Sequence, residues 1–204
     1  LMMPVARVSG FFLPSYLAGV SLANNHALDY GPLGLADTLR HVEAAELRAV
    51  GAGSTVERAL RETIVTVRGV RIGVLAFTEK SNQHTAGDGY VARQRSAIAR
   101  IEAVRGRVDV LLVSMHWGEQ YEPRPEPAQR RFAHALIDAG ADAIIGHHPH
   151  VLQTVETYAG KPIIYSLGNF VFGPQPAPRD VSAIAELEIT RGRVSALRMI
   201  PVIL

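Results

Sequence analysis

The stretch at residues 109–115 (DVLLVSM) restricts the fold more than any other part of the sequence, because its apolar residues follow one another almost without interruption. A strand that reads in this way is buried on both faces, as in sheets that helices cover on both sides. Residues 91–104 before it, and the stretch from Pro127 through Ala139 after it, repeat their apolar positions at helical spacing. A buried strand between two helices predicts an α/β domain.

The rest of the chain continues the alternation of strands and helices. A helix is predicted at residues 34–47, and a closing hairpin at 183–189 and 194–202. The polar, glycine-containing stretch 80–89 is predicted to be a loop. Further strands are predicted at residues 20–23, 62–67, 71–77, 143–145 and 161–165. Because no repeat or composition break divides the sequence, residues 1–204 are predicted to form a single domain.

Composition excludes several classes of protein. With 204 residues, 48% of them hydrophobic, and a net charge of only +2, the chain is not intrinsically disordered. It contains no cysteine, so a disulfide framework and a thiolate zinc site are excluded. Its basic residues are dispersed among acidic ones, so no nucleic acid is expected as a partner. No apolar run approaches the eighteen or so residues of a membrane span, and this stretch of chain is expected to be soluble.

Three predicted strands end in polar turns that carry histidine. These turns are Asn25-His26, His116-Trp117-Gly118 and His147-His148-Pro149-His150. Because the ends of neighbouring strands in an α/β sheet meet at one crevice, we expect these side chains to lie together. A single histidine is often only a packed or surface residue. A His-Pro-His turn beside two other such strand ends favours metal binding instead, since neutral imidazole is the commonest metal ligand and proline stiffens the turn.

Other catalytic motifs are poorly matched. The Gly51-Ala52-Gly53 segment lacks the third glycine of a dinucleotide-binding fingerprint and follows a predicted helix rather than a strand. There is no Gly-Lys-Ser/Thr phosphate loop and no Gly-x-Ser-x-Gly nucleophile turn. The histidine-bearing strand ends are therefore the main candidates for chemistry.

Four motifs, in order along the chain, resemble the CapA family of bacterial capsule and poly-γ-glutamate synthesis proteins. They are SLANNHALDYG at 21–31, SMHWG at 114–118, GADAIIGHHPHVLQ at 140–153 and YSLGNF at 165–170. This family is similar in turn to the calcineurin-like metallophosphoesterases. The resemblance implies a metallophosphoesterase-like four-layer α/β/β/α sandwich with two mixed sheets.

The same resemblance implies a role for each matched residue. His26 matches the histidine of the superfamily's Gly-Asn-His motif and would be the catalytic residue near the leaving group, either as general acid or as donor to a substrate oxyanion. The implied metal ligands are Asn25, His116, His148 and His150. The implied contacts to substrate or to a ligand side chain are His147, Glu119 and Asn169. The implied cofactor is a divalent metal, one or two ions of Mn, Zn or Fe, which would activate water and bind a phosphoryl oxygen.

One part of the superfamily pattern is missing. Its N-terminal strand ends in Gly-Asp and supplies acidic metal ligands, whereas residues 1–22 of this sequence contain no acidic residue. We therefore interpret the sequence as lacking that strand, and we expect it to bind at most one divalent cation, weakly. A longer chain with the acidic strand should bind metal and hydrolyse phosphodiesters better. Asp29 is expected to serve the start of a helix, and breaks in the ordered chain are expected between Leu13 and Val20 and within residues 80–89.

The resemblance implies a function in cell-envelope polymer synthesis. The leading hypothesis is metal-assisted hydrolysis or transfer at a phosphate or related ester. The alternative is a non-catalytic accessory subunit of a membrane polymer synthase or exporter. The implied partners are a phosphorylated or polyanionic substrate, small or polymeric, and other capsule synthesis subunits. The implied location is the bacterial cell envelope, outside the cytoplasm, through a segment absent from this sequence.

Overall fold

The computed structural model describes residues 17–82, 90–173 and 175–204. The strands of this part of the chain are β1 (Gly19–Ser21), β2 (Arg48–Val50), β3 (Thr63–Val67), β4 (Val70–Thr78), β5 (Val110–His116), β6 (Ala143–His147), β7 (Val155–Tyr158), β8 (Lys161–Ile164), β9 (Val181–Thr190) and β10 (Arg193–Ile203). The α-helices are α1 (Gly31–Ala44), α2 (Val56–Ala59), α3 (Ala97–Arg105) and α4 (Pro127–Asp138), with a 3-10 turn at Gln94–Ser96.

Six strands form one mixed sheet in the order β3-β4-β5-β6-β8-β7. The four central strands are parallel, and the edge strands β3 and β7 are antiparallel to their neighbours. Strand β5 lies between β4 and β6, and Val110, Leu111, Val113 and Met115 are fully buried. The strand predicted at residues 109–115 is therefore confirmed; one of its faces is fully buried, and Leu112 and Ser114 on the other face are partly buried.

Helices α3 and α4 cover one face of this sheet. Their inward residues Ile101, Val104 and Leu136 are fully buried and belong to the same core as Leu111 and Met115. Each such side chain contributes about 1.5–3 kcal/mol when it leaves water, so this layer is the main source of stability. This helical layer packs against one face of the sheet. The carboxyl ends of the parallel strands are outside this apolar contact and carry polar groups.

A second, smaller core lies between the sheet and α1. Leu28, Leu35 and Val50 pack there against Ala76 of β4. Strands β1 and β2 form a parallel pair in this layer, and β9 and β10 form a separate antiparallel hairpin. The predicted α/β class is confirmed. Beyond the six-stranded mixed sheet, the strands of the described residues form these two two-stranded sheets.

Several element boundaries differ from prediction for local reasons. Helix α1 begins at Gly31 instead of residue 34, because Pro32 suits the first helical turn. Helix α3 begins at Ala97 instead of residue 91, because Val91 and Arg93 pair as isolated bridges with Ala52 and Thr78. Strand β6 continues through His147 and pairs with β5 along its length.

The predicted chain breaks fall largely on residues 1–16 and 83–89, which lie outside the described residues. Among the residues that are described, none of the helices is long and apolar enough to cross a membrane.

Candidate functional site

The register of the central strands brings their polar ends side by side. Thr78 of β4 is paired with His116 of β5, and His116 is paired with His147 of β6. The His116 and His148 rings lie 4.7 Å apart, centre to centre, and the His148 and His150 rings 6.1 Å apart. The convergence of strand ends predicted from the sequence is confirmed for these histidines.

Asn25 joins this group from the other layer of the fold. It follows β1, it is buried, and its Oδ1 lies 2.8 Å from Nε2 of His116. An amide oxygen only accepts, so Nε2 of His116 donates in this arrangement. Two side chains that are 91 residues apart in sequence thus present a carbonyl oxygen and an imidazole nitrogen at one point.

The turn after β6 holds His148 and His150 in an uncommon backbone conformation. The φ angles are 103° for His148 and 62° for His150, in a region that glycine adopts more readily than other residues. His150 Nδ1 lies 2.7 Å from Oδ1 of Asn169, whose Nδ2 also donates to the carbonyl oxygens of His150 and Arg179. Asn169 therefore orients the ring of His150 and leaves Nε2 of His150 available.

His26 forms a pair with Asp29 at the exposed side of the site. Nδ1 of His26 lies 2.6 Å from Oδ2 of Asp29, and because a carboxylate only accepts, Nδ1 carries the proton. This fixes the ring orientation, with Nε2 as the remaining nitrogen. The expectation that Asp29 serves the start of α1 is wrong: Tyr30 is the N-cap residue, with no side-chain capping bond. The carboxylate of Asp29 accepts a hydrogen bond from the ring of His26 instead of capping the helix.

Asn82 links the two residues that the Asn25-His26 turn contributes. Its Oδ1 accepts a hydrogen bond from Nδ2 of Asn25 at 2.9 Å, and its Nδ2 lies 3.4 Å from Oδ1 of Asp29 and 3.1 Å from Nδ1 of His26. Sequence reasoning missed Asn82. It stands just beyond β4, so the strand-end rule that identified His116 and His148 could also have identified it.

His147 and Glu119 lie beside the cluster in different ways. His147 is half-buried at the end of β6, and its carbonyl oxygen accepts from the backbone N–H of Trp117. Glu119 accepts a hydrogen bond from Lys80, and its predicted contact with a ligand histidine or the substrate stays a prediction. The ammonium group carries a full charge and attracts the carboxylate more strongly than a neutral imidazole does.

The histidines at the strand ends are held in the neutral form. Burial, reinforced by the neighbouring imidazoles, lowers the pKa of His116 to about 3. Burial alone lowers the pKa of His147 to about 4, and burial together with His150 and Lys80 lowers that of His148 to about 4. Neutral imidazole is the form that binds a metal, so the environment suits ligation at neutral pH.

Some of these side chains border a cleft of about 540 Å³, within the range of small-molecule sites. One end of the cleft is formed by His26, His116, His147 and His150. The remaining wall comes from the β1 turn, α1 and Phe172. The cleft thus has one end that is rich in histidine and a wall that contains no histidine.

The donor atoms fit one divalent cation better than two. Asn25, His116 and His148 supply three neutral donors, and His148 Nδ1 is buried with no hydrogen-bond partner. Three ligands plus water make an open metal site. Within the described part of the chain, however, no three His, Asp or Glu side chains converge as a metal site by themselves. The carboxylates nearest to this group accept from other residues: Asp29 from His26, Glu119 from Lys80, and Glu79 from the backbone N–H of Gly118.

Comparisons with known proteins agree with the four motifs. Residues 15–174 match the family model described as bacterial capsule synthesis protein PGA_cap. The chain is 37% identical over 191 residues to PGA biosynthesis protein CapA of Bacillus subtilis (strain 168), covering 88% of this chain and 49% of that protein. It is 36% identical over 194 residues to capsule biosynthesis protein CapA of Bacillus anthracis, covering 89% and 46%.

Two further matches extend the comparison. A protein of Mycobacterium tuberculosis (strain ATCC 25618 / H37Rv) named "Probable polyglutamine synthesis accessory protein" is 31% identical over 205 residues, covering 89% of this chain and 54% of its own. The chain spans about half the length of these curated relatives. The crystal structure of a hypothetical protein from Thermus thermophilus matches with a TM-score of 0.57 at 18% identity, covering 91% of this chain and 76% of that one. This last match shows a shared fold.

Proposed function

Because the chain belongs to the PGA_cap family of bacterial capsule synthesis proteins, we propose that it takes part in capsule or poly-γ-glutamate biosynthesis at the bacterial cell envelope. Within that process, its cleft is a metallophosphoesterase-type site for metal-assisted hydrolysis or transfer at a phosphate or related ester. The observation that carries the proposal is the approach of Asn25 Oδ1 to His116 Nε2, with the unpartnered His148 Nδ1 nearby, at the end of the cleft that His26 and His116 line.

Asn25, His116 and His148 would hold one divalent cation, of Mn, Zn or Fe. Such a cation, when bound, polarises a phosphoryl oxygen and lowers the pKa of bound water. His150 lies next to this group with Nε2 free to bind a substrate oxygen or a second cation. These roles follow from neutral donors grouped at one end of the cleft.

His26 would serve as the general acid at the leaving group. Its Nδ1–H is held by Asp29, which fixes the tautomer and the orientation of the ring. Nε2 is then the atom that gives or takes a proton in the cleft. Asn82 holds Asp29 and Asn25 together, so the acid and the metal ligand keep a constant separation.

A second candidate function is that of a non-catalytic accessory subunit that supports other capsule synthesis subunits. Two observations favour it: one relative carries the name of a synthesis accessory protein, and the carboxylates of Asp29 and Glu119 are engaged by His26 and Lys80. Two cations held only by neutral ligands would leave their charge uncompensated in a partly dry cleft.

The two functions are separated by metal titration and phosphodiester hydrolysis on the same protein. After dialysis against EDTA, Mn²⁺ is titrated calorimetrically, and hydrolysis of bis(p-nitrophenyl) phosphate is followed with Mn²⁺ present. We expect one weakly bound cation and slow hydrolysis. His116→Ala should lose both, His26→Ala should lose hydrolysis but keep the cation, and His41→Ala, on α1 outside the cleft, should keep both. Metal binding with no hydrolysis in any variant would favour the accessory function, and no metal binding would refute the proposed site.

A further inference from the structure

Apart from its histidines, the cleft is lined by neutral residues, and we call this part of the lining its wall. Leu22, Ala23, Ala27 and Leu35 give it an apolar surface, and Thr38 and Ser21 add hydroxyl groups. The cleft volume of about 540 Å³ exceeds what an inorganic phosphate needs, so there is room for the group that a phosphate ester carries.

Two aromatic side chains border this space and are open to solvent. Tyr30 is 69% exposed and Phe172 is 38% exposed, and both line the cleft. The Phe172 ring lies 5.1 Å from the His150 ring, so it stands directly beside the histidine end. Solvent-exposed aromatic rings at a cleft are surfaces on which the flat face of another ring stacks.

The position of Tyr30 depends on Gly34, which lies about one helical turn further along α1. A Cβ atom at Gly34 would lie only 2.5 Å from Cβ of Tyr30. Glycine at this position therefore allows Tyr30 to pack close to the first turn of α1, at the border of the cleft.

Charged groups near the cleft contact other side chains. Lys80 is paired with Glu119, Asp29 with His26, and the Arg179 guanidinium lies 4.9 Å from the centre of the Tyr121 ring. Among the described residues that line the cleft, none is Lys, Arg, Asp or Glu. A carboxylate-bearing group in this space would meet apolar carbon and the nearby Asp29, whereas a neutral ring would meet suitable surfaces.

We propose that this wall is a subsite for an uncharged ring, aromatic or sugar, carried by the phosphate ester, with Phe172 and Tyr30 as the stacking residues. The inference rests on the proposed function, since the phosphoryl group is placed at the histidine end. It further implies that an oligomer of glutamate, with a carboxylate on every unit, is not the group that enters the cleft.

Binding of non-hydrolysable probes tests the subsite without relying on turnover. Phenylphosphonate carries a neutral ring, phosphonoacetate a carboxylate, and methylphosphonate neither. Their dissociation constants are measured by calorimetry with Mn²⁺ and again in EDTA. We expect phenylphosphonate to bind at least tenfold more tightly than the other two under both conditions. Glucose 1-phosphate, measured in EDTA, is the sugar arm, and a preference for it over phenylphosphonate would identify the ring as a sugar.

Variants assign the preference to particular residues. Phe172→Ala and Tyr30→Ala should each weaken phenylphosphonate binding about tenfold and leave methylphosphonate binding unchanged. Phe170→Ala is the matched control, because Phe170 is 57% exposed but does not line the cleft. Tighter binding of phosphonoacetate, displacement of phenylphosphonate by oligo-γ-glutamate, or no effect of either variant would overturn the subsite. If Mn²⁺ does not bind or does not strengthen methylphosphonate binding, the proposed metal site fails, while the ring preference in EDTA is judged separately.

Discussion

His148 combines a strained backbone with an unpartnered side-chain nitrogen. Its φ of 103° is costly for any residue with a Cβ atom, and its Nδ1 is buried without a hydrogen bond. Neither feature favours the folded state, and the two occur together next to His116 and His150. Such a combination is expected where the position of an imidazole matters more than stability, which agrees with the metal site that we propose.

Two substitutions of His148 distinguish the effect of its backbone conformation from the effect of its imidazole. His148→Gly and His148→Ala both remove the side chain, so both should abolish Mn²⁺ binding. Glycine tolerates the positive φ and alanine does not, so the glycine variant should be more stable by about 1 kcal/mol. Urea unfolding in EDTA gives the two free energies of unfolding. Equal stability of the two variants would mean that the turn relaxes without strain.

Asn82 is expected to act by orienting Asn25. In Asn82→Ala the amide of Asn25 loses the acceptor for its Nδ2 and can rotate, so Mn²⁺ affinity should fall about tenfold or more. Asn82→Asp keeps that acceptor but sets a second carboxylate beside Asp29, so metal affinity should be retained while phosphodiester hydrolysis falls. Calorimetry and the hydrolysis assay separate the two effects. Unchanged Mn²⁺ affinity in Asn82→Ala would show that Asn25 is oriented by other contacts.

At the level of secondary structure, the sequence predicts the elements that have a strong pattern of their own. Strand β5 is recognisable because its apolar residues follow one another almost without interruption, and the strand ends locate His116 and His148. Strand β2 has only three residues and forms by pairing with β1, and β7 alternates weakly at the sheet edge, so neither gives a clear local signal.

The same limit applies to parts of the site. Asp29 has the sequence context of a residue at the start of a helix, and its contact with His26 is visible only once the turn is folded. The Lys80–Glu119 pair also requires knowledge that β4 and β5 are neighbours. Roles that depend on a partner far along the chain could not be read from local pattern.

Gly146 sets how closely β6 approaches the segment after β8. A Cβ atom there would lie 1.9 Å from the backbone oxygen of Tyr165 and 2.7 Å from Nε1 of Trp117, which donates to that same oxygen. Gly146→Ala must therefore separate two backbones, and we expect it to lower the free energy of unfolding by about 3 kcal/mol and to displace the adjoining histidines. Gly106→Ala is the control, since nothing lies within 4 Å of its added Cβ, and it should change stability by less than about 0.5 kcal/mol. Chemical unfolding of both variants decides the point, and a stability of Gly146→Ala equal to wild type would contradict the close packing of these segments.

For the whole molecule, the site makes folding sensitive to mild acid. His116, His147 and His148 keep a neutral form in the folded protein because their pKa values are lowered to about 3, 4 and 4. In the unfolded chain the same side chains take up protons near pH 6.5. The unfolded state therefore binds more protons than the folded state between about pH 6.5 and pH 4, and the free energy of unfolding must fall as the pH is lowered through this range.

We expect this loss to begin near pH 6.5 and to be clear by pH 5, above the range in which ordinary carboxylates take up protons. Each histidine that stays fully neutral contributes at most about 1.4 kcal/mol per pH unit, and partial exposure of these rings reduces that figure. Urea unfolding in EDTA at pH 7.5, 6.5, 5.8 and 5.0 measures the slope, and His147→Gln should make it shallower because one buried imidazole is removed. Saturating Mn²⁺ should stabilise the folded protein most at the highest pH, since metal and protons compete for the same nitrogens. A free energy of unfolding that stays constant from pH 7.5 to 5.0 would mean that these histidines exchange protons in the folded protein as readily as in the unfolded chain.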